Sequence, residues 1–324
     1  PEELESSIRA ALSQVLGSLP SGSAMTAGLA TQRSSIACWD RESGAALCPV
    51  ISWRDTRNAD WLRSLQLDAR ELYGVTGLRP SAHYGASKLR WCLENRPAVS
   101  AAPRDARLAW GPLASFRDFR LTRERTLAAD PVNASRTLLL DIRTGDWSAT
   151  MLDRFGLPAE PLPPLMAGDA CFGHIDVDGA ALRLGHCTGD QGAALYSRGE
   201  PDPRAAVVNA GTGAFVLQPT ARADPDGHLL TSVIRSDRNG LQLALEGTVN
   251  GAGSALESVA EDLGVDDWVA ALAGTDAETA RTPLFLNGES GLGSPWWRED
   301  FPSRFVGGGD DSARLLAVLD SIAF

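Results

Sequence analysis

Two glycine-containing corners hold the residues of this sequence that are best suited to chemistry. The Gly-Asp-Gln segment 189–191 precedes an apolar run, which places the carboxylate of Asp190 where a strand would turn into a helix. Farther along, Gly-Thr-Gly occupies positions 211–213. A carboxylate can take a proton from a substrate hydroxyl, and a glycine–threonine turn can hold a phosphate. In this order, the two corners indicate phosphoryl transfer onto a small hydroxylated molecule.

Each corner also has a purely structural interpretation. Asp190 could cap the helix that follows it, since aspartate at this position accepts backbone N–H bonds and can still present one oxygen outward. The 211–213 turn could be a tight hairpin, because glycine readily adopts positive φ. The GxxxxGK[ST] phosphate loop does not occur in the sequence.

Aromatic and basic residues lie at further predicted strand ends. Trp53 begins the Trp-Arg-Asp-Thr-Arg segment 53–57, and Arg33 follows a predicted strand. An indole face covers the C–H groups of a sugar or polyol, and charged groups bind its hydroxyls. The alternative for Trp53 is a partly buried ring beside a surface ion pair. His83 is compatible with a surface, a substrate-binding or a core position.

A zinc site is disfavoured by the arrangement of cysteine and histidine. Cys171 and His174 have the spacing of metal ligands. However, His186 and Cys187 are adjacent in a predicted strand, so their side chains should point to opposite faces. We therefore predict no metal bound by this group, and a GxSxG nucleophile elbow is also absent from the sequence.

Composition limits the class of protein. The 324 residues, with 44% hydrophobic and 22% charged side chains, fit a soluble globular protein of two domains. A net charge of -11 and a single lysine, Lys88, disfavour nucleic acid as a partner. Five cysteines without a disulfide-type spacing indicate a reducing compartment. No apolar run is long enough to span a membrane, so a cytoplasmic location is the default prediction.

The chemistry-bearing residues must be positioned by mixed strands and helices, which predicts an α/β fold with mixed sheets flanked by helices. The predicted strands are 24–29, 35–40, 47–53, 182–187, 205–209, 214–218 and 241–245. The predicted helices are 2–17, 57–65, 85–95, 113–121, 148–155, 247–263, 265–272 and 310–324. A polar, proline-containing stretch near 199–204 predicts a boundary between domains 1–199 and 200–324.

Read in order, short motifs across nearly the whole chain resemble the FGGY carbohydrate kinases, particularly their glycerol-kinase-like branch. The motifs are Thr-Gln-Arg at 31–33, Trp-Asp at 39–40, Trp-Arg-Asp-Thr-Arg at 53–57, Lys-Leu-Arg-Trp at 88–91, Asn-Ala-Ser-Arg-Thr at 133–137, Gly-Asp-Trp at 145–147, Gly-Asp-Gln at 189–191, Gly-Thr-Gly at 211–213, Leu-Glu-Gly at 245–247, Gly-Leu-Gly-Ser-Pro-Trp-Trp at 291–297 and Ser-Ile-Ala-Phe at 321–324. The resemblance implies two actin-like (ribonuclease-H-like) domains around a cleft in which ATP, Mg²⁺ and a small carbohydrate or polyol meet.

The resemblance also implies roles for individual residues. Asp190 takes the place of the catalytic base. The implied acceptor pocket consists of Arg33, Trp53, His83, Asp190, Gln191 and Phe215. The implied nucleotide side consists of Gly211, Thr212 and Gly253, with Glu257 where the family often places a glutamine.

Three departures from the glycerol kinases bear on the substrate. Ser34 stands where they usually carry glutamate, His83 where they carry tyrosine, and Gly-Glu at 288–289 where they carry Ala-Phe. Losing a carboxylate and a phenol removes two hydroxyl partners. We therefore predict another polyol or sugar, such as a pentose or pentulose, as readily as glycerol.

Family members also carry an Asp-x-Gly-Thr-Thr phosphate loop and a glycine-rich adenosine-binding segment, and neither occurs in these 324 residues. The sequence therefore leaves a second hypothesis open: a non-catalytic polyol-binding protein, or a truncated kinase-like protein, without a complete ATP site. Association into a homo-oligomer is also left open.

Overall fold

A computed structural model describes residues 2–20, 26–102, 106–274 and 282–323. The chain divides into two compact units. The first comprises Pro1–Glu200, Ala221–Ala223 and Thr231–Ala244; the second comprises Pro201–Thr220, Asp224–Leu230 and Leu245–Phe324. Among the described helices, none combines the length and the apolar character needed to cross a bilayer.

The first unit contains most of the helices. Its elements are α1 (Glu2–Gly17), β1 (Thr26–Thr31), β2 (Ile36–Asp40), α2 (Ala59–Ser64), α3 (Ala69–Thr76), α4 (Gly85–Asn95), α5 (Pro97–Ala101), β3 (Leu108–Pro112), α6 (Leu113–Leu121), α7 (Pro131–Ser135), β4 (Leu140–Asp141), β5 (Asp146–Trp147), α8 (Ala149–Phe155), β6 (His174–Val177), β7 (Ala180–Gly189) and α9 (Asp190–Leu195).

The sheet that matters most for function in this unit has the order β1-β7-β6. β1 runs parallel to β7, with Thr31 opposite Gly189 at its end, and β6 pairs antiparallel with β7. The carboxyl ends of parallel strands meet at the same edge of a sheet. The residues that follow β1 and β7, Arg33 and Asp190, are therefore brought to one edge although 157 positions separate them in the sequence.

A second, fully buried strand pair lies in the same unit. β2 and β3 pair antiparallel, and every residue of both strands is buried. Trp39 and Trp110 are among the largest buried side chains, and Trp39 packs against Phe116 and Phe119 of α6. This apolar interior anchors the turn between β1 and β2, where Arg33 lies.

The remaining elements are β8 (Val207–Ala210), β9 (Ala214–Thr220), β10 (Leu230–Asp237), β11 (Gly240–Val249), α10 (Gly253–Leu263), α11 (Trp268–Ala273), β12 (Leu284–Leu286), β13 (Arg304–Val306) and α12 (Asp311–Ala323). Of these, β10 from Thr231 onward and β11 as far as Ala244 belong to the first unit. Their larger sheet has the order β10-β11-β9-β8. In the second unit, α10, α12 and β12 share a core that includes Leu256, Val259, Phe285, Leu315 and Val318.

Several predicted elements are confirmed, including α4 and α6 with both of their bounds. The helix predicted at 2–17 is confirmed as α1, but fewer of its apolar residues are covered than an apolar face along the whole helix would require. Ile8, Leu12 and Leu16 pack against the β6–β7 core, whereas Leu4 and Val15 are exposed. Of the strand predicted at 24–29, the first two residues lie outside the described part of the chain, as does residue 324 of the last predicted helix.

Two predicted elements are wrong. The strand predicted at 47–53 forms one isolated bridge, Ile51 with Ile36, and a backbone hydrogen bond from Leu47 to Cys38 of β2. The ladder is interrupted between Leu47 and Ile51, where Pro49 has no N–H to donate. The helix predicted from 247 begins at Gly253, because β11 continues through Val249. The strands β3 and β10 were not predicted: β3 ends in Gly-Pro, which is typical of turns, and its buried position is what makes it a strand.

Candidate functional site

Asp190 is the first residue of α9, and Gly189 occupies the cap position with an extended backbone (φ −86°). The Asp190 carboxylate accepts a hydrogen bond from the backbone N–H of Gln191 at 2.8 Å. The helix-capping interpretation of Asp190 therefore does not hold, since a capping side chain binds the N–H groups two or three residues ahead. The Asp190 side chain is 50% exposed to solvent, so a ligand can reach it.

Arg33 lies against this carboxylate. Its Nε is 3.6 Å from Asp190 Oδ1, and the arginine side chain is only 8% exposed. A Cβ on Gly189 would come within 2.7 Å of the Arg33 side chain, so glycine leaves the space that the arginine occupies. The parallel β1–β7 pairing thus places a buried cation beside a half-exposed carboxylate.

Lys88 joins the segments that carry the other predicted acceptor residues. Four carbonyl oxygens share the three N–H donors of its Nζ: Ser34 O (3.0 Å), Ser52 O (3.0 Å), Trp53 O (3.4 Å) and His83 O (2.7 Å). The side chain is fully buried in α4. Burial lowers the pKa of Lys88 to about 7, against the opposing charge of Asp55.

Because Lys88 binds the carbonyls of both residues, the side chains of Trp53 and His83 are in contact. Their rings contact edge to face with centroids 5.8 Å apart, and both are partly buried. The Ser35 hydroxyl accepts hydrogen bonds from the Trp53 N–H and from the side-chain amide of Gln32, both at 2.9 Å. The structure therefore brings Trp53 and His83 together and ties both, through Lys88 and Ser35, to the turn that contains Arg33.

A buried polar network lies at the ends of β1 and β7. The Thr31 hydroxyl donates to Asn133 Oδ1 (3.0 Å), and the Asn133 amide donates to Asp130 (2.9 Å). The Cys187 thiol donates to Asp118 at 3.4 Å. Burial raises the pKa of both Asp130 and Asp118. These contacts hold the strand ends from which Arg33 and Asp190 project.

In the second unit, the predicted nucleotide-side residues surround the start of α10. The 211–213 turn joins the antiparallel strands β8 and β9, as the hairpin interpretation proposed. The carbonyl of Gly211 accepts from Gly253 N (2.8 Å), and that of Thr212 accepts from the N–H groups of Ala252 (2.9 Å) and Ser254 (3.1 Å). The turn therefore caps α10 through its carbonyl oxygens.

These hydrogen bonds bring Gly211, Thr212 and Gly253 together. A Cβ on Gly253 would lie 2.7 Å from Gly211 O, so glycine is required for this approach. Thr212 is exposed, and no hydrogen bond engages its hydroxyl in the described part of the chain. Glu257 is exposed one turn farther along α10, and Phe215 is partly buried in β9 opposite Asn209.

The residues considered for zinc have other partners. His174 Nδ1 lies 2.7 Å from a carboxylate oxygen of Glu124, Cys171 contacts the carbonyl of Gly173, and Cys187 contacts Asp118. Within the described ranges, the group of three potential ligands that does come together is Cys38, Cys48 and Cys92. Sequence reasoning missed it because 10 and 44 residues separate its members.

Residues 1–191, more than half of the chain, match the N-terminal domain of the FGGY family of carbohydrate kinases. The chain belongs to this family. The glycerol kinase of Geobacter sp. (strain M21) is 34% identical over 310 residues, which are 92% of this chain and 62% of that enzyme. The glycerol kinase of Shewanella amazonensis is 28% identical over 341 residues, 100% of this chain and 68% of that enzyme.

Solved structures of the FGGY kinases have the same α/β fold. Plasmodium falciparum glycerol kinase with ADP superposes with a TM-score of 0.86 at 25% identity, over 99% of this chain and 66% of that one. Xylulose kinase from Rhodospirillum rubrum gives 0.80 at 21% identity, over 100% and 67%. The chain thus spans about two thirds of the length of these kinases.

Lys88 is the residue of this site whose role the sequence did not reveal. In the sequence it is recognisable as the single lysine and as part of the Lys-Leu-Arg-Trp motif, neither of which assigns it a role. A signal was present, since the single lysine of the chain lies on a helix face whose other members, such as Leu89 and Cys92, are buried. A charged residue at a buried helix position indicates a set of acceptors supplied from elsewhere in the fold.

The contact beneath α9 gives a first testable prediction. A Cβ on Gly192 would lie 2.5 Å from the carbonyl oxygen of Ile234, so Gly192→Ala should displace α9 and lower the free energy of unfolding by about 1–3 kcal/mol. Gly74→Ala is the matched control, because Gly74 lies inside α3 with no atom near its missing Cβ. That control should raise stability by about 0.5–1 kcal/mol. Urea denaturation measures both, and equal stabilities of the two variants would contradict the tight packing of α9.

Proposed function

We propose that this protein transfers the terminal phosphoryl group of ATP to a hydroxyl of a small carbohydrate or polyol. The observation that carries the proposal is the half-exposed Asp190 carboxylate beside the buried Arg33 guanidinium at the β1–β7 edge. A carboxylate accessible to a ligand suits a base that accepts the proton of the attacking hydroxyl. Membership of the FGGY carbohydrate kinases agrees with this chemistry.

Each predicted acceptor residue has a proposed task. Asp190 accepts the hydroxyl proton as oxygen attacks phosphorus, and Arg33 and Gln191 orient the substrate beside it. Trp53 offers an aromatic surface to the C–H groups of the acceptor, and His83 offers a ring nitrogen for hydrogen bonding. Phe215 belongs to the second unit, and its part in acceptor binding stays a prediction from the family resemblance.

The donor side of the reaction is also a proposal. The residues that would contact the nucleotide are Gly211, Thr212, Gly253 and Glu257. The exposed Thr212 hydroxyl would donate a hydrogen bond to a phosphate oxygen. Mg²⁺ usually binds through one or two carboxylates together with substrate phosphates and waters, so it would enter with ATP and stabilise charge on the transferred group. Four further points remain predictions. They are the division into acceptor and nucleotide domains at residue 199, the actin-like form of these domains, the cleft between them and the cytoplasmic location.

The acceptor is proposed as a class of compound. Ser34 is buried, has φ of 63° and presents its carbonyl to Lys88, so it does not supply the carboxylate found at this position in the resembling glycerol kinases. With one carboxylate fewer for hydroxyl recognition, glycerol loses a specific partner. Pentoses, pentuloses and longer polyols are therefore proposed alongside glycerol.

An ADP-release screen tests this function. The full-length gene product is incubated with Mg²⁺ and ATP and with glycerol, erythritol, pentoses or pentuloses in turn. We expect saturable ADP release with at least one of these acceptors, above the rate with ATP alone, together with a phosphorylated product by mass spectrometry. Absence of acceptor-dependent ADP release across the panel would overturn the kinase proposal.

One observation favours the alternative of a polyol-binding protein without catalysis. The N–H groups of residues 252–254 are occupied by the carbonyls of Gly211 and Thr212, so this helix start offers fewer donors to a phosphate than a bare N-terminus would. Calorimetry with ATP and, separately, with the acceptor separates the hypotheses. A kinase binds both ligands, whereas the alternative protein binds only the polyol.

A further inference from the structure

Three cysteine thiols come together in the first unit, and none of them belongs to the acceptor or nucleotide residues proposed above. Cys38 lies in β2, Cys48 in the loop that follows, and Cys92 in α4. Their Sγ atoms all lie within 4.8 Å of one another, and those of Cys48 and Cys92 are 3.9 Å apart. Cys38 and Cys92 are fully buried, and Cys48 is 9% exposed.

These separations fit a single metal ion. With a metal–thiolate bond of about 2.3 Å, three sulfurs placed symmetrically around one ion are roughly 4 Å apart. The thiols therefore need to move little to bind an ion at their centre. Bond formation between two of them would instead require an approach to about 2.05 Å.

The donor set selects the class of ion. Within the residues described, no histidine or carboxylate joins the three thiols as a fourth ligand. Structural zinc almost always has four ligands, whereas soft thiolate sites are suited to Cu(I).

The surroundings accommodate the negative charge of such a complex. Three thiolates and one monovalent cation carry a net charge of −2. The guanidinium groups of Arg57 and Arg96 lie 4.3 Å and 4.9 Å from the ring centroid of Trp91, which precedes Cys92 in α4, and Arg57 also pairs with Asp55. Arg96 Nε is buried and has no hydrogen-bond partner in the described structure.

We propose that Cys38, Cys48 and Cys92 form a three-thiolate site for one soft monovalent cation of the Cu(I) class. Binding breaks up to three S–H bonds, forms three S–metal bonds and releases the protons to solvent. The site would link β2, the loop at Cys48 and α4, in which Lys88 lies one turn before Cys92. It does not depend on the proposed kinase activity.

The test is a competition titration of the reduced protein with Cu(I), under anaerobic conditions, against a chromophoric Cu(I) chelator. We expect one equivalent bound by the wild-type protein, with three sulfur scatterers at about 2.3 Å by X-ray absorption. Cys48→Ser should lower the Cu(I) affinity at least about 100-fold. Removing a residue that only hydrogen-bonds to a metal ligand already costs about 10- to 100-fold in affinity, and removing the ligand itself should cost more. Cys171→Ser, which removes an exposed thiol elsewhere, should retain the wild-type affinity.

Two measurements keep this test decisive. Circular dichroism and thermal unfolding of the metal-free variants establish that each is folded, and Cys48→Ala replaces Cys48→Ser if serine disturbs the fold. Cu(I) should also raise the melting temperature of the wild-type protein and not that of the Cys48 variant. Equal Cu(I) affinity in the wild-type protein and the Cys48 variant would overturn the proposal, as would a two-sulfur site or no bound equivalent.

Discussion

Asp190→Asn is expected to lower the kcat of acceptor phosphorylation by about 10²- to 10⁴-fold, the usual contribution of a general base. Asparagine preserves the shape of the side chain and can still accept the 2.8 Å hydrogen bond from the Gln191 N–H. It cannot take up the proton of the attacking hydroxyl. The loss should therefore fall on kcat, with acceptor affinity changed only a few-fold. Steady-state ADP release with the acceptor identified in the screen provides the measurement.

The matched control is Asp60→Asn. Asp60 lies in α2, its side chain is 98% exposed, and it pairs with Arg63 at the surface. This variant should keep the wild-type kcat and should unfold within about 0.5 kcal/mol of the wild-type protein, as surface substitutions usually do. Asp190→Asn removes one charge of the pair with Arg33, whose carboxylate side is half exposed, and should cost no more than about 1 kcal/mol. Turnover near the wild-type value in folded Asp190→Asn would remove Asp190 from the proposed mechanism.

Lys88→Met should produce the largest loss of stability. The substitution keeps an apolar stem of similar length and leaves four carbonyl oxygens without their shared donor. Each unsatisfied buried acceptor costs about 1–3 kcal/mol, and partial relaxation reduces the sum, so we expect a loss of about 3–5 kcal/mol. Because the same bonds join the Ser34, Trp53 and His83 segments, the KM for the acceptor should rise at least tenfold in any Lys88 variant that remains folded.

Urea denaturation and acceptor kinetics measure these two effects. Arg63→Met is the control, because it removes another long cationic side chain, but one that is 63% exposed and pairs with the exposed Asp60. Its effect should stay below about 1 kcal/mol. A stability loss in Lys88→Met no greater than in the control would show that Lys88 does not hold the segments together.

The same residue predicts a pH dependence. The pKa of Lys88 is lowered by burial from 10.5 to about 7. Between these values the unfolded chain binds more protons at this site than the folded protein, so the contribution of Lys88 to stability rises with pH across the window. The difference in unfolding free energy between wild type and Lys88→Met should be constant below pH 7. Above it, the difference should increase by about 1.4 kcal/mol per pH unit. A difference that stays constant up to pH 10 would contradict the lowered pKa.

The helices near the site could be predicted from the sequence because their signals are local. α4 and α6 have an apolar face and are followed by residues that end a helix, and both predicted ranges match the structure. The corner at Gly189 and Asp190 was also recognisable, since glycine followed by a polar residue and an apolar run is typical of a strand-to-helix turn. The family resemblance rested on short motifs of the same local kind.

The strand pairings could not be predicted in this way. β3 contains a glycine and a proline that are typical of turns, and it is a strand because its buried backbone needs hydrogen-bond partners, which β2 supplies along its length. The region 47–53 has the composition of a strand but bonds to the second edge of β2 only at Leu47 and Ile51. How far two segments stay paired is not written in either segment alone.

By itself, the sequence determined the family, most of the helices and the identity of the carboxylate proposed to act as base. The tertiary structure decided what surrounds that carboxylate: Arg33 beside Asp190, the four carbonyl acceptors of Lys88, and three cysteines around one centre. The physical reason is the range of the interactions involved. Helix and turn preferences arise between residues a few positions apart, whereas the parallel pairing of β1 with β7 joins residues more than 150 positions apart. Only the folded chain brings such residues into contact.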